Sequence, residues 1–124
     1  ADTPWLSAAD KAALQRLCTP GKWFQIRAVD AVTYVLFLAA KHGAMHAAGT
    51  AAGAAAAEEA MVRVVGIGGD CDTLACMAGA LLGAAHGDAW IPTRWSSAVV
   101  QDAVFGWPAA RALGTALARV DVVG

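Results

Sequence analysis

The passage over residues 66–87 most constrains the fold of this chain, because a glycine cluster precedes two aspartates and a run rich in small residues. The cluster comprises Gly66, Gly68 and Gly69. Glycine interrupts a helix and permits positive backbone dihedrals. The small residues that follow predict a helix over 73–86, which Gly87 ends. Within that helix, Gly79 and Gly83 lack side chains and are expected to let a neighbouring backbone approach closely.

Composition favours an all-α domain. Hydrophobic residues make up 58% of the 124 residues, and much of that share is alanine, the best helix former. Residues typical of strands, such as threonine, isoleucine and tyrosine, are sparse. The length suits one domain with one core, and neither an internal repeat nor a domain boundary is evident.

The first half of the chain predicts two helices. Ser7 followed by Asp10 resembles a helix start, and a short helix is expected to reach about Cys18. The second helix covers residues 28–41, where apolar side chains occur on nearly every side. A helix that is hydrophobic all round is a buried one, so we expect this helix to be enclosed.

The rest of the chain predicts a mixture of loops and short helices. The alanine- and glycine-rich segment 44–57 is either a loop or a loosely held helix, and Glu58 and Glu59 suit the first turn of a new helix reaching Val65. Beyond an extended corner at Ile91-Pro92, two short helices are expected, over 96–104 and 108–120.

Charge and hydropathy exclude several classes of protein. The formal net charge is −1 with scattered bases, so nucleic acid is not an expected partner. The longest uncharged apolar run, over 74–85, is shorter than the roughly 20 residues that span a membrane. Three cysteines without a C-x-x-C pair fit a reducing compartment. We therefore expect an intracellular protein, cytoplasmic rather than membrane-bound, with nucleus and mitochondrion left open.

The segment GGDCDT offers oxygen ligands in a compact arrangement. Asp70 and Asp72 stand two residues apart, and Thr73 adds a hydroxyl directly before the predicted helix. Magnesium prefers such hard oxygen ligands, commonly one or two carboxylates with water. Asp and Thr are equally favoured at helix starts, where their oxygens accept backbone N–H bonds. Spacing alone leaves both the metal site and the helix cap open.

A dinucleotide-binding turn is a rival interpretation of the same glycines. The stretch MVRVV followed by Gly66 has the form of a strand and turn, but the G-x-G-x-x-G pattern requires glycine where Cys71 stands. The preceding residues also continue a helix as naturally as they form a strand. This interpretation is therefore the weaker one.

The run GGDCDTLACMAGALLGAAHG closely resembles the signature of the ADP-ribosylglycohydrolase family, G-G-D-T-D-T followed by A-x-x-A-G-A-x-x-G-A-x-x-G. Ile91-Pro92 and Trp95 match the family's I-P-x-x-W continuation, and AVDAVTYVLFLAAK resembles its preceding helix. The likeness is closest to the branch that acts on serine-linked and polymeric ADP-ribose. It implies an all-α orthogonal helical bundle with two magnesium ions in a cleft.

The resemblance also implies a site and a reaction. It assigns metal ligation to Asp70, Asp72 and Thr73, with Mn²⁺ as an alternative to Mg²⁺. The activity it implies is hydrolysis at the anomeric carbon of the distal ribose, releasing ADP-ribose from ADP-ribosylated proteins or related conjugates. Cys71 replaces the family's threonine between the aspartates, and we expect it to tune the site rather than abolish it.

The chain departs from the family in length. Family members are about twice as long, and their amino-terminal half supplies a T-D-D ligand set and an acidic catalytic residue. This chain has no D-D pair, and its other carboxylates lack a matching context: Asp2, Asp10, Asp30, Glu58, Glu59, Asp88, Asp102 and Asp121. We therefore expect residues 1–124 to be the carboxyl-terminal portion of one domain. The amino-terminal portion would be a separate or missing segment, and this chain alone would not be competent. A catalytically inactive relative is the alternative.

Overall fold

A computed structural model describes residues 7–17, 27–42 and 47–120, which form six helices and no strand. The all-α class is therefore confirmed. No helix in these three ranges is long and apolar enough to cross a membrane. The helices are α1 (Ala8–Leu17), α2 (Ala28–Lys41), α3 (Ala51–Gly66), α4 (Cys71–His86), α5 (Thr93–Ser96) and α6 (Trp107–Leu117).

The chain divides into two compact units. The first ends at Trp90 and contains α1 to α4, and the second begins at Ile91 and contains α5 and α6. In the first unit α3 and α4 pack together most extensively, and α2 packs against both. Organisation as one domain over 1–124 stays a prediction.

The direction of each helix in the first unit follows from a few contacts. Tyr34 in α2 donates a hydrogen bond to the backbone carbonyl of Arg63 in α3, with an O···O distance of 3.1 Å. Further along α2, Nδ1 of His42 lies 4.0 Å from Oε1 of Glu59, which is earlier in α3. Helix α2 is therefore antiparallel to α3.

Helices α3 and α4 are also antiparallel. Thr50 at the start of α3 lines the same cavity as His86 and Trp90, which lie at and beyond the end of α4. The Cε atom of Met61 lies 3.6 Å from the position that a Cβ on Gly79 would occupy. Because α2 and α4 are each antiparallel to α3, they run in the same direction and begin at the same end of the unit.

One apolar core lies between these helices. Tyr34 and Leu38 are fully buried, and burial raises the pKa of the Tyr34 phenol well above its usual range. The phenol therefore serves as a neutral hydrogen-bond donor at physiological pH. The buried core residues are Leu14, Ala31, Tyr34, Val35, Leu38, Val64, Ile67, Leu74 and Ala78.

Helix α1 begins as predicted. The backbone N–H of Asp10 donates to Ser7 Oγ at 3.1 Å, and Ser7 Oγ donates to the Asp10 carboxylate at 2.7 Å. This hydrogen bond lowers the pKa of Asp10. Asp10 also pairs with Lys41 Nζ at 3.3 Å, which connects the start of α1 to the end of α2. The predicted end at Cys18 lies outside the described residues.

The prediction that α2 is buried on every side is wrong in this structure. Asp30 and Leu38 mark its buried face, whereas Val29, Val32 and Leu36 are 55%, 42% and 51% exposed. Helices α1, α3 and α4 pack against α2 and leave the side with Val29, Val32 and Leu36 exposed. Apolar sequence on all sides therefore did not produce burial on all sides.

The predicted start of α3 at Glu58 is also wrong, because the helix begins at Ala51. Thr50 is its N-cap, and the Thr50 Oγ1 atom accepts a hydrogen bond from the backbone N–H of Gly53 at 2.9 Å. The alanines that follow favour a helix, so one good cap suffices to order the segment. Residues 43–46 of the predicted low-complexity segment lie outside the described residues.

The helix predicted over residues 96–104, in the second unit, is wrong. Helix α5 spans only Thr93–Ser96, because the side-chain amide of Gln101 donates to the Ser96 carbonyl at 2.8 Å and competes with helix propagation. Asp102 Oδ1 then accepts from the backbone N–H groups of Val104 and Phe105, which fixes a turn. Helix α6 was correctly expected near Pro108, although it ends at Leu117 rather than 120.

Candidate metal centre

The turn between α3 and α4 places GGDCDT at one end of the first unit. Helix α3 ends at Gly66, and the N–H of Gly68 donates to the Val65 carbonyl at 3.2 Å. Gly68 and Gly69 have φ values of 77° and 68°, in the left-handed region that favours glycine. Two consecutive left-handed residues reverse the chain within a few residues. Asp70 is therefore placed directly at the start of α4.

Helix α4 begins at Cys71, two residues earlier than predicted. Asp70 is the N-cap residue, and Asp72 and Thr73 lie in the first turn. Residues three apart share a helix face, so Asp70 and Thr73 are neighbours at this helix start. The structure thus brings the three predicted ligands together at an open end of the unit, where Asp70 is half-buried and the other two are exposed.

The carboxylate of Asp70 does not cap the helix. Although Asp70 occupies the N-cap position, its side chain makes no capping hydrogen bond, and its backbone has φ −79° and ψ 54°. The backbone carbonyl of Asp70 does take part in the helix, because it accepts a hydrogen bond from the Leu74 N–H at 3.2 Å. Helix capping therefore does not account for Asp70, which was the structural explanation that the sequence left open.

Asp72 occupies a strongly polar environment. Hydrogen bonding with the neighbouring Asp70 side chain lowers the pKa of Asp72, and the backbone N–H groups of Thr73 and Asp72 itself act in the same direction. Asp72 is therefore ionised throughout the neutral pH range. Asp70 and Asp72 are neighbours at the start of α4, where each carboxylate could give an oxygen to a cation.

The donor set fits a hard cation incompletely. Two carboxylates and one hydroxyl are the ligands that magnesium takes from proteins, with other oxygens completing its octahedron. Within the described ranges, no group of three or more His, Cys, Asp and Glu side chains is placed to hold a metal ion. The half-buried thiol of Cys71 is soft and adds little affinity for magnesium. These residues can supply only part of a coordination shell.

The glycines within α4 do not perform the function predicted for them. A Cβ added to Gly83 would meet no atom within 4 Å, and one on Gly79 would meet only the side-chain Cε of Met61. No backbone of the described first unit therefore approaches α4 closely at these positions, and the predicted close packing is wrong here.

These contacts give opposite predictions for two glycine-to-alanine changes. Gly68→Ala should lower the free energy of unfolding by about 1–2 kcal/mol, because an alanine at φ 77° is strained. Gly79→Ala should raise it by up to about 1 kcal/mol, because alanine is the better helix former and the 3.6 Å contact with Met61 is ordinary. Urea unfolding of the two variants measures both changes, and equal effects would contradict the assigned backbone conformations.

Sequence reasoning overlooked two residues at this end of the unit. Asp30, in the first turn of α2, is completely buried, and the Arg27 Nε atom lies 4.0 Å from its Oδ2 atom. Because α2 and α4 begin at the same end, this pair lies at the end that carries Asp70 and Asp72. The signal available in the sequence was Asp30 itself, an acidic residue within an otherwise apolar helix.

The dinucleotide-binding interpretation is wrong. The residues before Gly66 belong to helix α3, and no strand occurs in the described ranges. The strand and phosphate-binding turn of such a unit are therefore absent from this part of the chain.

The described part of the chain is an all-α fold with two aspartates and a threonine at the start of one helix. A model of the family described as ADP-ribosylglycohydrolase matches residues 3–121. Because this match covers nearly the whole chain, the chain belongs to the ADP-ribosylglycohydrolase family. Neither a curated protein nor a solved structure matched the chain in the corresponding searches.

Proposed function

We propose that this chain supplies Asp70, Asp72 and Thr73 to a magnesium centre of a hydrolase that releases ADP-ribose. The substrates are ADP-ribosylated proteins or related ADP-ribose conjugates. Family membership supports the class of reaction. The observation that carries the metal assignment is the start of α4, where the Asp70 carboxyl group caps no backbone N–H and Asp72 and Thr73 lie in the adjoining first turn.

The remaining ligands come from elsewhere in the protein. Two magnesium ions, or manganese ions in their place, need more oxygen ligands than two carboxylates and one hydroxyl provide. In this proposal an amino-terminal part of the same domain contributes them together with the general acid/base, as a separate or preceding segment. The protein then acts without nucleic acid or membrane as a partner.

The chemistry divides between the ions and the chain. Magnesium held by Asp70, Asp72 and Thr73 would supply Lewis-acid chemistry at the ribose: it would position hydroxyls and water and offset the charge that develops as the glycosidic bond breaks. The chain's own residues fix the geometry: the turn at Gly68 and Gly69 sets the direction of α4, and the ionised Asp72 provides negative charge at its start. The reaction consumes one water, whose oxygen joins the anomeric carbon as the acceptor leaves with a proton.

The decisive experiment measures ADP-ribose release by the full-length protein from serine-linked, arginine-linked and polymeric substrates. We expect release with Mg²⁺, weaker or equal release with Mn²⁺, and none with excess EDTA. Release that persists in EDTA would contradict the metal centre. Absence of release from folded protein on every linkage would contradict the hydrolase and favour a catalytically inactive relative.

A further inference from the structure

The bases of the first unit are distributed unevenly around the candidate metal centre. Lys41 pairs with Asp10 at the far end of α2, and Arg63 is held by Glu59 within α3 at 2.6 Å. Arg27 stands at the start of α2, at the end of the unit that carries the aspartates, about two turns closer to that end than Tyr34, which contacts Arg63.

The level of Arg27 follows from the helix directions. Tyr34 contacts Arg63 across α2 and α3, which fixes the register of these two antiparallel helices. Arg27 lies about two turns before Tyr34. In α4, Gly79 lies beside Met61, which is about half a turn before Arg63, and Asp70 lies about two and a half turns before Gly79. Arg27 and Asp70 are therefore at similar heights on neighbouring elements, and packed helices are about 8–10 Å apart. An arginine side chain spans most of that gap.

Helix stability does not explain an arginine at this position. Arg27 is the N-cap residue of α2, where oxygen-bearing side chains are preferred, and it makes no side-chain capping bond. Its positive charge also lies at the positive end of the helix dipole. Neither capping nor the helix dipole therefore favours an arginine at this position.

Asp30 restrains Arg27 from the protein side. The carboxylate of Asp30 is completely buried, whereas the side chain of Arg27 is 59% exposed with Nε 4.0 Å from the carboxylate. A buried carboxylate beside the guanidinium limits the directions that this long side chain adopts. The guanidinium of Arg27 is then held near the end of the unit and adopts fewer conformations than a free surface arginine would.

We propose that Arg27 binds the diphosphate of the ADP-ribosyl group and that Asp30 is its positioning residue; this inference rests on the proposed hydrolase function. A guanidinium forms paired, charge-assisted hydrogen bonds with phosphate oxygens. The ribose would lie at the metal centre beside Asp70 and Asp72, and the adjoining diphosphate would extend beyond it. A cation on the neighbouring helix start would offset the negative charge of that diphosphate.

The test compares substitutions at Arg27 in the full-length protein with magnesium present. Arg27→Gln should raise KM for ADP-ribose release, and the Kd of ADP-ribose by calorimetry, at least about 10-fold with kcat changed little, because a charged hydrogen bond is lost. Arg27→Lys should be intermediate. ADP should become a weaker competitor of the Arg27→Gln variant, whereas competition by adenosine should be unaltered.

Two further variants test whether Asp30 acts by positioning Arg27 or whether any change of charge or fold has the same effect. Arg16→Gln, which removes an exposed base on α1, should leave the KM for ADP-ribose release and the Kd of ADP-ribose at parental values. Asp30→Asn, with folding verified by circular dichroism, should raise KM in the same direction as Arg27→Gln, and the two effects should not add. A fully additive double variant would contradict the positioning role.

The outcomes distinguish this inference from the hydrolase proposal. Parental KM and Kd in Arg27→Gln, or equal losses for ADP and adenosine, overturn the role of Arg27 and leave the hydrolase intact. A parent that binds ADP-ribose without releasing it overturns the hydrolase, and the Kd comparison still decides the role of Arg27. A folded parent that binds no ADP-ribose overturns both.

Discussion

Asp70→Asn and Asp72→Asn are each expected to lower kcat/KM for ADP-ribose release by at least about 100-fold. Loss of a residue that merely orients a metal ligand costs about 10–100-fold in affinity or activity, so loss of a ligand should cost no less. Both side chains lie at an open helix start outside the core, so the fold should survive. Initial rates over a magnesium titration, with circular dichroism for folding, measure the effect.

The matched control is Asp88→Asn, which removes an exposed carboxylate just beyond the other end of α4. It alters net charge equally and should leave the magnesium dependence unchanged. Parental magnesium affinity in either ligand variant would remove that residue from the metal centre. An equal loss in Asp88→Asn would show that general electrostatics, rather than ligation, underlies the effect.

Leu38→Ala is expected to lower the free energy of unfolding by about 2–5 kcal/mol. The Leu38 side chain has 0% exposure and lies in the core with Tyr34 and Leu74. Its truncation removes buried apolar contacts and leaves a cavity that the neighbouring helices cannot fully close. Urea unfolding monitored by circular dichroism measures the change in the free energy of unfolding.

Leu36→Ala is the control from the same helix. Leu36 is 51% exposed in this structure, so its truncation should alter the free energy of unfolding by no more than about 0.5 kcal/mol. A loss as large as that of Leu38→Ala would show that another part of the full-length protein covers this face of α2. A small effect of Leu38→Ala would contradict the described core.

Helix composition made the fold class predictable, whereas burial and some helix ends were not. Alanine content and sparse strand formers indicated helices, and the Ser7 cap marked the start of α1 correctly. The prediction failed where a single side chain decides the outcome. Thr50 starts α3 before Glu58, and Gln101 competes with the helix beyond Ser96. These are local side-chain hydrogen bonds, and the periodicity of apolar residues in the sequence does not predict them.

The candidate centre was predictable as a set of residues rather than as a geometry. The spacing of Asp70, Asp72 and Thr73 placed them at a helix start, where the structure also has them. Whether Asp70 capped that helix depended on a side-chain orientation that spacing does not determine. The pair of Arg27 and Asp30 lies at the same end of the unit as Asp70 because α2 and α4 run in the same direction. Helix direction is a tertiary property, so the sequence pattern did not predict it.

The α3–α4 hairpin has a consequence for the order of folding. Its two helices make the most extensive contact in the chain, and only the short turn with Gly68 and Gly69 separates them in sequence. Contacts between neighbouring segments close small loops, so they form quickly and at low entropic cost. Asp70, Asp72 and Thr73 are thus positioned by a unit that matures before distant segments dock. The ligands on this hairpin would then act as a template on which the remainder of the metal centre is completed.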